Sequence, residues 1–240
     1  MVSISGSKKL KRQMAPTFWG IHRKNKRFVV APRPGPHPRA RSVPAAVFLR
    51  DMLSIVYTLR EAKSSIYGGK VKVDGVVRKS LHHGIGLMDV VELENVGDAY
   101  RMVPLRGKLL QPITIPPEDA DRKLVKVTSK VTIKGGRTAL GFHDGRTTIS
   151  DADVKVGDSC LLRIPQQEIT ETIPLRPGCQ ALVIKGANAG MSGRVDNIED
   201  GTFTLPRRAT VSLGERTIEI PTDALIAVGA DSPVIKVDDS

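Results

Sequence analysis

The distribution of charge constrains this chain more than any other feature, because its excess positive charge lies in the first fifth. Residues 1 to 50 contain 12 Lys and Arg and no Asp or Glu. The rest of the chain balances, with 25 residues of each sign, so the formal net charge of +12 comes from this segment. A solvated surface normally mixes both signs, and a one-sided block indicates an arm that binds a polyanion. The alternative is a disordered tail that only aids solubility.

The basic arm spans residues 1–42. Five prolines in "APRPGPHPRARSVP", residues 31–44, predict an extended connector rather than a helix. The aromatic residues of the arm either dock onto the protein or stack on unpaired bases, and docking is favoured for Trp19. Because so charged and proline-rich a segment has little apolar surface to bury, we expect the arm to order only on binding.

Two helices are predicted after the arm. Pro44 and the apolar stripe that follows it predict a first helix over residues 44–56. Thr58 and Glu61 have the spacing of a capping box, which predicts that a second helix begins there and stops at the glycine pair beginning with Gly68.

A tight hairpin is predicted where Asp74 and Gly75 separate two β-branched runs, and a third strand over Asp89–Glu94 completes a small sheet. If the cations of this helix and hairpin unit share a face, that face binds phosphate, whereas the alternative is a charged exterior of mixed orientation. These cations are Arg60, Lys63, Lys70, Lys72, Arg78 and Lys79.

From about residue 97 the chain becomes rich in short β-type runs separated by Gly, Pro and Asp, which predicts small antiparallel sheets or barrels. The runs are "LVKVTSKVTIKGG", "SCLLRIP", "QALVIKG", "GTFTLP", "ERTIEIP" and "ALIAVG". A helical turn is predicted in "TIPPEDADRKL". The stretch "QQEITETIPLRPG" predicts an exposed hairpin or a connector, with a domain boundary near Glu171.

Several of these stretches together resemble the S4e family of ribosomal proteins. The resemblance covers nearly the whole chain and rests on "KKLKRQMAPTFW", "APRPGPHP", "TLREAKSSIYGGKVKVDGVVRK", "GLMDVVEL", "GFHDGRTT" and "LVIKGANAGMSGRV", in this order. The ending "GADSPVIKVDDS" is short and acidic, which favours the archaeal branch of the family.

The resemblance implies a multi-domain α+β fold in four parts. Residues 1–42 form the basic arm, residues 43–94 an S4-type RNA-binding module, residues 95–171 a central β-rich domain, and residues 172–240 a KOW module on an SH3-like barrel. It also implies a function: a structural constituent of the small ribosomal subunit that binds the subunit's ribosomal RNA beside neighbouring small-subunit proteins.

The resemblance to a KOW module rests on the run from Val183 to Val195 with its glycines. Gly186, Gly190 and Gly193 allow a close backbone approach, so that Lys185 or Arg194 can reach a phosphate or another backbone. An ordinary glycine-rich β-turn is the alternative. The RNA-binding residues predicted outside the helix and hairpin unit are Lys8, Lys9, Lys11, Arg12, Arg23, Lys24, Lys26, Arg27, Arg33, Arg39, Arg41, Lys185 and Arg194.

No catalytic, metal or cofactor site is predicted. His82 and His83 would point to opposite faces of a strand, and His143 precedes an Asp-Gly turn where a local hydrogen bond or an RNA contact suffices. Cys160 and Cys179 lack a metal-ligand spacing and are expected in the core. Phosphate-loop and nucleophile-elbow motifs are missing from the sequence.

The sequence leaves two other functions open: an RNA-modifying enzyme to which the S4-type module delivers RNA, and a transcription elongation factor suggested by the KOW stretch. We expect a cytoplasmic, ribosome-associated protein that does not form homo-oligomers and has no small-molecule substrate. No apolar run has the roughly 18 residues that a membrane helix needs, so no membrane partner is expected.

Overall fold

The computed structural model describes residues 9–22, 24, 26–94, 96–105, 108–150, 152–214 and 216–237. In this part the chain is mostly β-sheet with few helices. Three five-stranded antiparallel sheets follow one another along the sequence, and there are two short strand pairs, one in the arm and one that joins residues 43–44 to residues 84–85. None of the described helices is long and apolar enough to cross a membrane.

The arm packs on the protein. Strand β1 (Leu10–Lys11) pairs with β2 (Phe28–Val29), and Leu10, Trp19 and Ile21 are buried. The indole Nε1 of Trp19 donates a hydrogen bond to the carbonyl oxygen of Ser42 at 2.9 Å, so the docking of Trp19 is confirmed. The expectation that the arm orders only on binding assumes that the arm has little apolar surface to bury. That assumption is wrong, because these side chains belong to one apolar core with the helices. The 3₁₀ turns of this region are Arg12–Met14, Thr17–Trp19 and Arg39–Arg41.

The first large sheet follows the helices and has the strand order β5-β4-β7-β8-β9. The elements from the end of the arm onward are β3 (Val43–Pro44), α1 (Ala45–Val47), a π-helical turn (Phe48–Met52), α2 (Leu59–Tyr67), β4 (Val71–Val73), β5 (Val76–Val77), β6 (Gly84–Ile85), β7 (Val90–Leu93), β8 (Ala99–Leu105) and β9 (Lys108–Ile115). Strand β3 pairs separately with β6. One face of the first sheet contributes to the core that holds Trp19.

The helices start close to where the sequence placed them, but the first is shorter than predicted. The helical turns end at Met52 rather than at residue 56, and Ser54 has a left-handed backbone with φ of 56°. A non-glycine residue in that region cannot continue a right-handed helix, although apolar residues continue beyond it. Helix α2 begins after Thr58 with both hydrogen bonds of a capping box to Glu61.

The second large sheet has the order β12-β11-β10-β13-β14. Its strands are β10 (Arg122–Thr132), β11 (Thr138–Phe142), β12 (Thr147–Ile149), β13 (Ser159–Arg163) and β14 (Glu168–Ile173), after a 3₁₀ turn at Pro117–Asp119. Strand β10 contributes Leu124 to one apolar core and Val125 and Val127 to another, because successive side chains point to opposite faces. Cys160 is buried in the same small core as Val125, as expected.

The third large sheet has the order β18-β17-β16-β15-β19. Its strands are β15 (Gln180–Val183), β16 (Ser192–Glu199), β17 (Arg208–Leu213), β18 (Arg216–Pro221) and β19 (Leu225–Gly229), with a 3₁₀ turn at Thr222–Ala224. The prediction of a strand in "GTFTLP" is wrong. That stretch is a loop in which the amide of Thr202 donates to the carbonyl of Leu205, and Phe203 is fully exposed.

The four-part domain division stays a prediction. Strand β8 pairs with β7 and β9 pairs with β8, so these two strands, which come after residue 94, belong to the same sheet as the hairpin strands. One apolar core also runs from the first sheet through Leu124 and Leu161 to the third sheet, and it includes Cys179.

Candidate nucleic-acid interface

A group of charged side chains is buried where the hairpin, the proline-rich connector and the second sheet meet. Lys123, on β10, is fully buried, and its Nζ atom lies 2.8 Å from Oδ2 of Asp74, 2.6 Å from Oδ1 of Asp89 and 3.0 Å from Oδ2 of Asp144. Asp74 is the first residue of the hairpin turn, and Asp144 lies in the turn after β11. One lysine therefore joins three carboxylates from two sheets.

The remaining contacts complete this group, which we call the Lys123 network: His37, Asp74, Asp89, Lys123, Asp144 and Arg146. Arg146 donates to Asp74 and lies 3.3 Å from Asp144. Nε2 of His37 lies 3.0 Å from Oδ1 of Asp89. The amides of Val90 and Gly86 donate to Asp74 and Asp89. Asp74 and Asp89 therefore each have at least two hydrogen-bond donors, as buried charges require, whereas Asp144 accepts one hydrogen bond, from the amide of Arg146, and its Oδ2 is compensated by ion pairs with Lys123 and Arg146.

The network shifts the ionisation of its members. Burial alone would raise the pKa of Asp89, but the Lys123 ammonium and His37 hold it well below its ordinary value. The pKa of Asp144 is likewise lowered by Lys123 against the effect of burial. The pKa of Lys123 is raised, because the three carboxylates outweigh its burial. These three groups therefore stay charged at neutral pH.

Two further buried cations hold the sheets together through backbone carbonyls. The Arg101 guanidinium donates to the carbonyls of Asp119 and Arg122 at 3.0 Å, and burial lowers its pKa to about 10. The Lys126 ammonium donates to the carbonyls of Thr222 at 2.7 Å and Leu225 at 2.8 Å. Burial lowers the pKa of Lys126 to about 8.

The histidines make local hydrogen bonds. Nδ1 of His143 accepts from the amide of Lys126, which leaves Nε2 as the donor to the carbonyl of Leu87 at 3.2 Å. Burial lowers the pKa of His143 to about 4, so the ring is neutral, and both of its nitrogens make local hydrogen bonds. His82 bonds the carbonyl of Ala31 through Nδ1. Within the described ranges no group of three or more His, Cys, Asp and Glu could hold a metal ion.

The predicted RNA-binding residues lie mainly at the surface. Lys8 and Arg23 are outside the described residues. Arg12, Arg78 and Lys185 are half-buried, and the others are exposed: Lys9, Lys11, Lys24, Lys26, Arg27, Arg33, Arg39, Arg41, Arg60, Lys63, Lys70, Lys72, Lys79 and Arg194. Arg12 differs from the rest because its guanidinium donates to the carbonyls of Ile21 and His22 and so shapes the arm itself.

Helix α2 presents cations and aromatic rings on its exposed side. Arg60 and Lys63 are exposed, and Nζ of Lys63 lies 5.6 Å from the ring centroid of Tyr67. Tyr57, just before the helix, is 86% exposed, and Tyr67 is 53% exposed. Ala62 and Ile66 form the buried side of the helix. Cations next to exposed rings can bind phosphates while the rings stack on unpaired bases.

The arm offers a second group of this kind. The ring of Phe28 is 47% exposed, and the Nζ of Lys9 and the guanidinium of Arg27 lie 5.9 and 5.5 Å from its centroid. Both cations come from the strand pair β1 and β2 or its immediate neighbours. The pairing of the strands therefore brings together residues that are distant in the sequence.

The glycine-rich run of the third sheet separates its two predicted cations. Lys185 follows β15, whereas Arg194 lies within β16 opposite Gln180. A Cβ atom on Gly193 would lie 2.3 Å from the carbonyl oxygen of Ser212, so a glycine is required there for strand packing. Sequence reasoning missed the exposed ring of Tyr57 beside α2. The available signal was a tyrosine directly before the capping box of Thr58 and Glu61.

Family models match two parts of the chain. The model described as ribosomal family S4e matches residues 96–169, and the RS4NT (NUC023) domain matches residues 5–40.

Curated relatives match almost the entire length. The small ribosomal subunit protein eS4 of Pyrobaculum arsenaticum is 41% identical over 236 residues, which cover 95% of this chain and 98% of the relative. The eS4 protein of Methanothermobacter thermautotrophicus is 40% identical over 240 residues, with 99% and 98% covered. The crystal structure of the 30S ribosomal protein S4e from Thermoplasma acidophilum is similar with a TM-score of 0.68 and 33% identity, over 79% of this chain and 96% of that chain.

Proposed function

We infer that this chain, which belongs to ribosomal family S4e, is a structural constituent of the small ribosomal subunit and binds its ribosomal RNA. The inference follows from relatives that carry the name of small ribosomal subunit protein eS4 at 40% identity or more over nearly the full length. These relatives are archaeal, in agreement with the branch suggested by the end of the sequence.

One structural observation supports the RNA-binding role. The buried cations Arg101, Lys123 and Lys126 are held by carboxylates or carbonyls, whereas the cations of the arm and α2 are exposed. Exposed cations are accessible to the phosphates of an RNA, whereas buried ones are not. We therefore propose that the predicted set binds RNA, except that Arg12 acts mainly by shaping the arm.

The finer division of the fold is part of the proposal. Residues 43–94 act as an S4-type RNA-binding module, and the exposed side of α2 is its RNA-binding face. Residues 172–240 act as a KOW module on an SH3-like barrel, supported by five antiparallel strands and the glycine-rich run between β15 and β16. Residues 95–171 connect the two, and the arm lies along RNA.

The setting of the protein is also proposed. It works in the cytoplasm as part of the ribosome, next to other small-subunit proteins, as a single copy and without catalytic activity. Phosphate contacts supply most of the affinity, and the fixed shape of the folded parts selects the RNA site.

Sedimentation of a cell extract tests the proposal directly. The chain is followed by immunoblot across a sucrose gradient at low and then at moderate salt. We expect the protein to co-migrate with the small subunit at both salt concentrations, because a structural component of the subunit is held by many contacts. Recovery only in the soluble fraction, or with RNA polymerase, contradicts the proposal, and the second result would favour an elongation factor.

The arm is tested by charge removal rather than by deletion, since deletion would also remove the buried Trp19. Lys24, Lys26 and Arg27, all exposed, are replaced by Gln. The matched control replaces Lys134, Arg137 and Lys155, exposed cations of the second sheet. We expect the slope of log affinity for small-subunit RNA against log salt to fall by roughly two to three in the arm variant. Equal slopes in both variants contradict a role for the arm.

A further inference from the structure

A cleft of about 610 Å³ lies where three parts of the molecule meet. The proline-rich connector contributes Arg41, the second sheet contributes Lys126 and Val156, and the third sheet contributes Lys185 and Ile184. Its volume is within the roughly 300–1,000 Å³ of pockets that enclose a small molecule or one of its parts. The cleft depends on the mutual placement of the three parts, so no single module contains it.

Two cations converge at this cleft. Arg41 is exposed at the end of a 3₁₀ turn, and Lys185 is half-buried two residues after β15. Both residues line the same cleft, and burial and then the nearby Arg41 lower the pKa of Lys185, as expected for like charges placed close together. Among the described residues neither side chain has a hydrogen-bond partner. An anion between them would relieve both the repulsion and the missing hydrogen bonds.

The wall beside these cations is mixed, with an apolar patch next to polar side chains such as His143 and Thr222. Val156 is 52% exposed, and the cleft is also lined by Leu175 and Ile184, which are buried. Lys126 belongs to the wall too, but both carbonyl bonds of its ammonium go to the third sheet, so it acts as a support. The cleft therefore combines a surface suited to a flat ring with a cationic edge suited to a phosphate.

We propose that this cleft binds a single unpaired nucleotide that is turned out of the ribosomal RNA, with its base against Val156 and Ile184 and its phosphate between Arg41 and Lys185. The proposal rests on the RNA-binding function proposed above. A duplex is too wide to enter, whereas unpaired nucleotides are the part of RNA that proteins commonly enclose and stack upon. The carboxylate of Asp223 near Lys185 leaves the edge less positive than the arm, which suits one phosphate rather than a run of them.

The first test compares two double variants of the full chain in binding to purified small-subunit RNA. R41Q/K185Q removes the cationic edge, and K134Q/R137Q removes two exposed cations from the tip between β10 and β11. We expect the cleft variant to bind about tenfold more weakly at moderate salt and the control to change little, with unchanged thermal unfolding in both. Equal affinities in the two variants overturn the proposal, although wild-type binding would still support the proposed function.

The second test locates the bound nucleotide. A photoreactive benzophenone amino acid replaces Val156 in the cleft or, as the control, Val131, which is 56% exposed and lies outside it. We expect position 156 to crosslink to one unpaired nucleotide, and R41Q/K185Q to abolish that crosslink. Crosslinks spread over duplex RNA overturn the proposal, and so does saturable binding of free AMP that leaves RNA affinity unaffected. If wild-type protein fails to bind the RNA, the proposed function and this inference fall together.

Discussion

Lys123 and Lys63 are the same residue type in two opposite situations. Lys123 is fully buried among three carboxylates, while Lys63 lies exposed on α2 against the ring of Tyr67. A buried charge is tolerated only with its partners, and removing one partner leaves the others uncompensated. An exposed charge contributes little to stability and remains available to an external anion. The difference shows that the location and pairing of a cation decide whether it supports the fold or the interface.

The largest expected effect comes from removing the buried cation. K123M leaves three carboxylates without their ammonium, so we expect the free energy of unfolding to fall by about 3–5 kcal/mol. Chemical denaturation of the full chain measures it. K155M, at an exposed lysine, is the control and should change stability little. A loss below about 1 kcal/mol in K123M, on the same scale as surface pairs, would remove the distinction between the two lysines.

Removing one carboxylate should have a smaller effect that depends on pH. D89N loses two charged hydrogen bonds, so we expect a loss of about 1–3 kcal/mol at pH 7. The pKa of Asp89 is lowered in the folded state. The stabilisation that its carboxylate contributes is therefore complete above the ordinary pKa of about 4 and is lost as the pH falls below that value. Unfolding measured from pH 7 downward should therefore show a shallower acid decline for D89N than for wild type.

The control for the acid experiment is D153N, because the side chain of Asp153 is 94% exposed. Its acid profile should match that of wild type. An identical decline in D89N and D153N would show that the Lys123 network does not set acid stability.

Removing the exposed cations of α2 should have the opposite effect to removing buried charges: RNA binding should weaken clearly, while the stability of the fold should change little. R60Q/K63Q should weaken binding to small-subunit RNA about tenfold, or about 1.4 kcal/mol, and lower the salt slope by roughly two. The free energy of unfolding should change by less than about 0.5 kcal/mol, since both residues are exposed. Filter binding and denaturation measure the two quantities, and a large loss of stability with unchanged binding would contradict the assignment of this face.

The smallest effect is expected for an exposed ion pair that spans β17 and β18. Arg208 and Glu219 lie 3.2 Å apart with their side chains 35% and 50% exposed. A double-mutant cycle with Ala at both positions should give a coupling energy of about 0.2–1 kcal/mol. A coupling of several kcal/mol would mean that surface pairs rival the Lys123 network.

Local patterns were readable from the sequence because nearby residues determine them. Thr58 and Glu61 predicted the start of α2, and Asp74-Gly75 predicted the turn between β4 and β5 where the structure has it. The family resemblance supplied the function. By contrast, "GTFTLP" has β-type composition but no partner strand, and Ser54 ends a helix whose apolar pattern continues.

The Lys123 network could not be predicted, because its members are far apart in the sequence. Asp74 was interpreted only as a turn residue, and Asp144 was assigned a turn for the same reason. Lys123 bonds Asp74 across 49 positions, and nothing in its immediate neighbours marks it as buried. Likewise the cleft at Arg41 and Lys185 arises from packing between elements 144 positions apart, by the difference of their numbers.

The separation of these partners along the chain also sets an order of events during protein synthesis. Asp74 and Asp89 leave the ribosome before Lys123, and Arg146, which bonds Asp74 across 72 positions, emerges later still. Until Lys123 emerges, Asp74 in the hairpin turn and Asp89 before β7 lack the cation that offsets their burial, so we expect both carboxylates to stay solvated. We therefore expect the first sheet to reach its full stability only after Arg146 has emerged from the ribosome, and a stalled, shorter product to be a target for proteolysis.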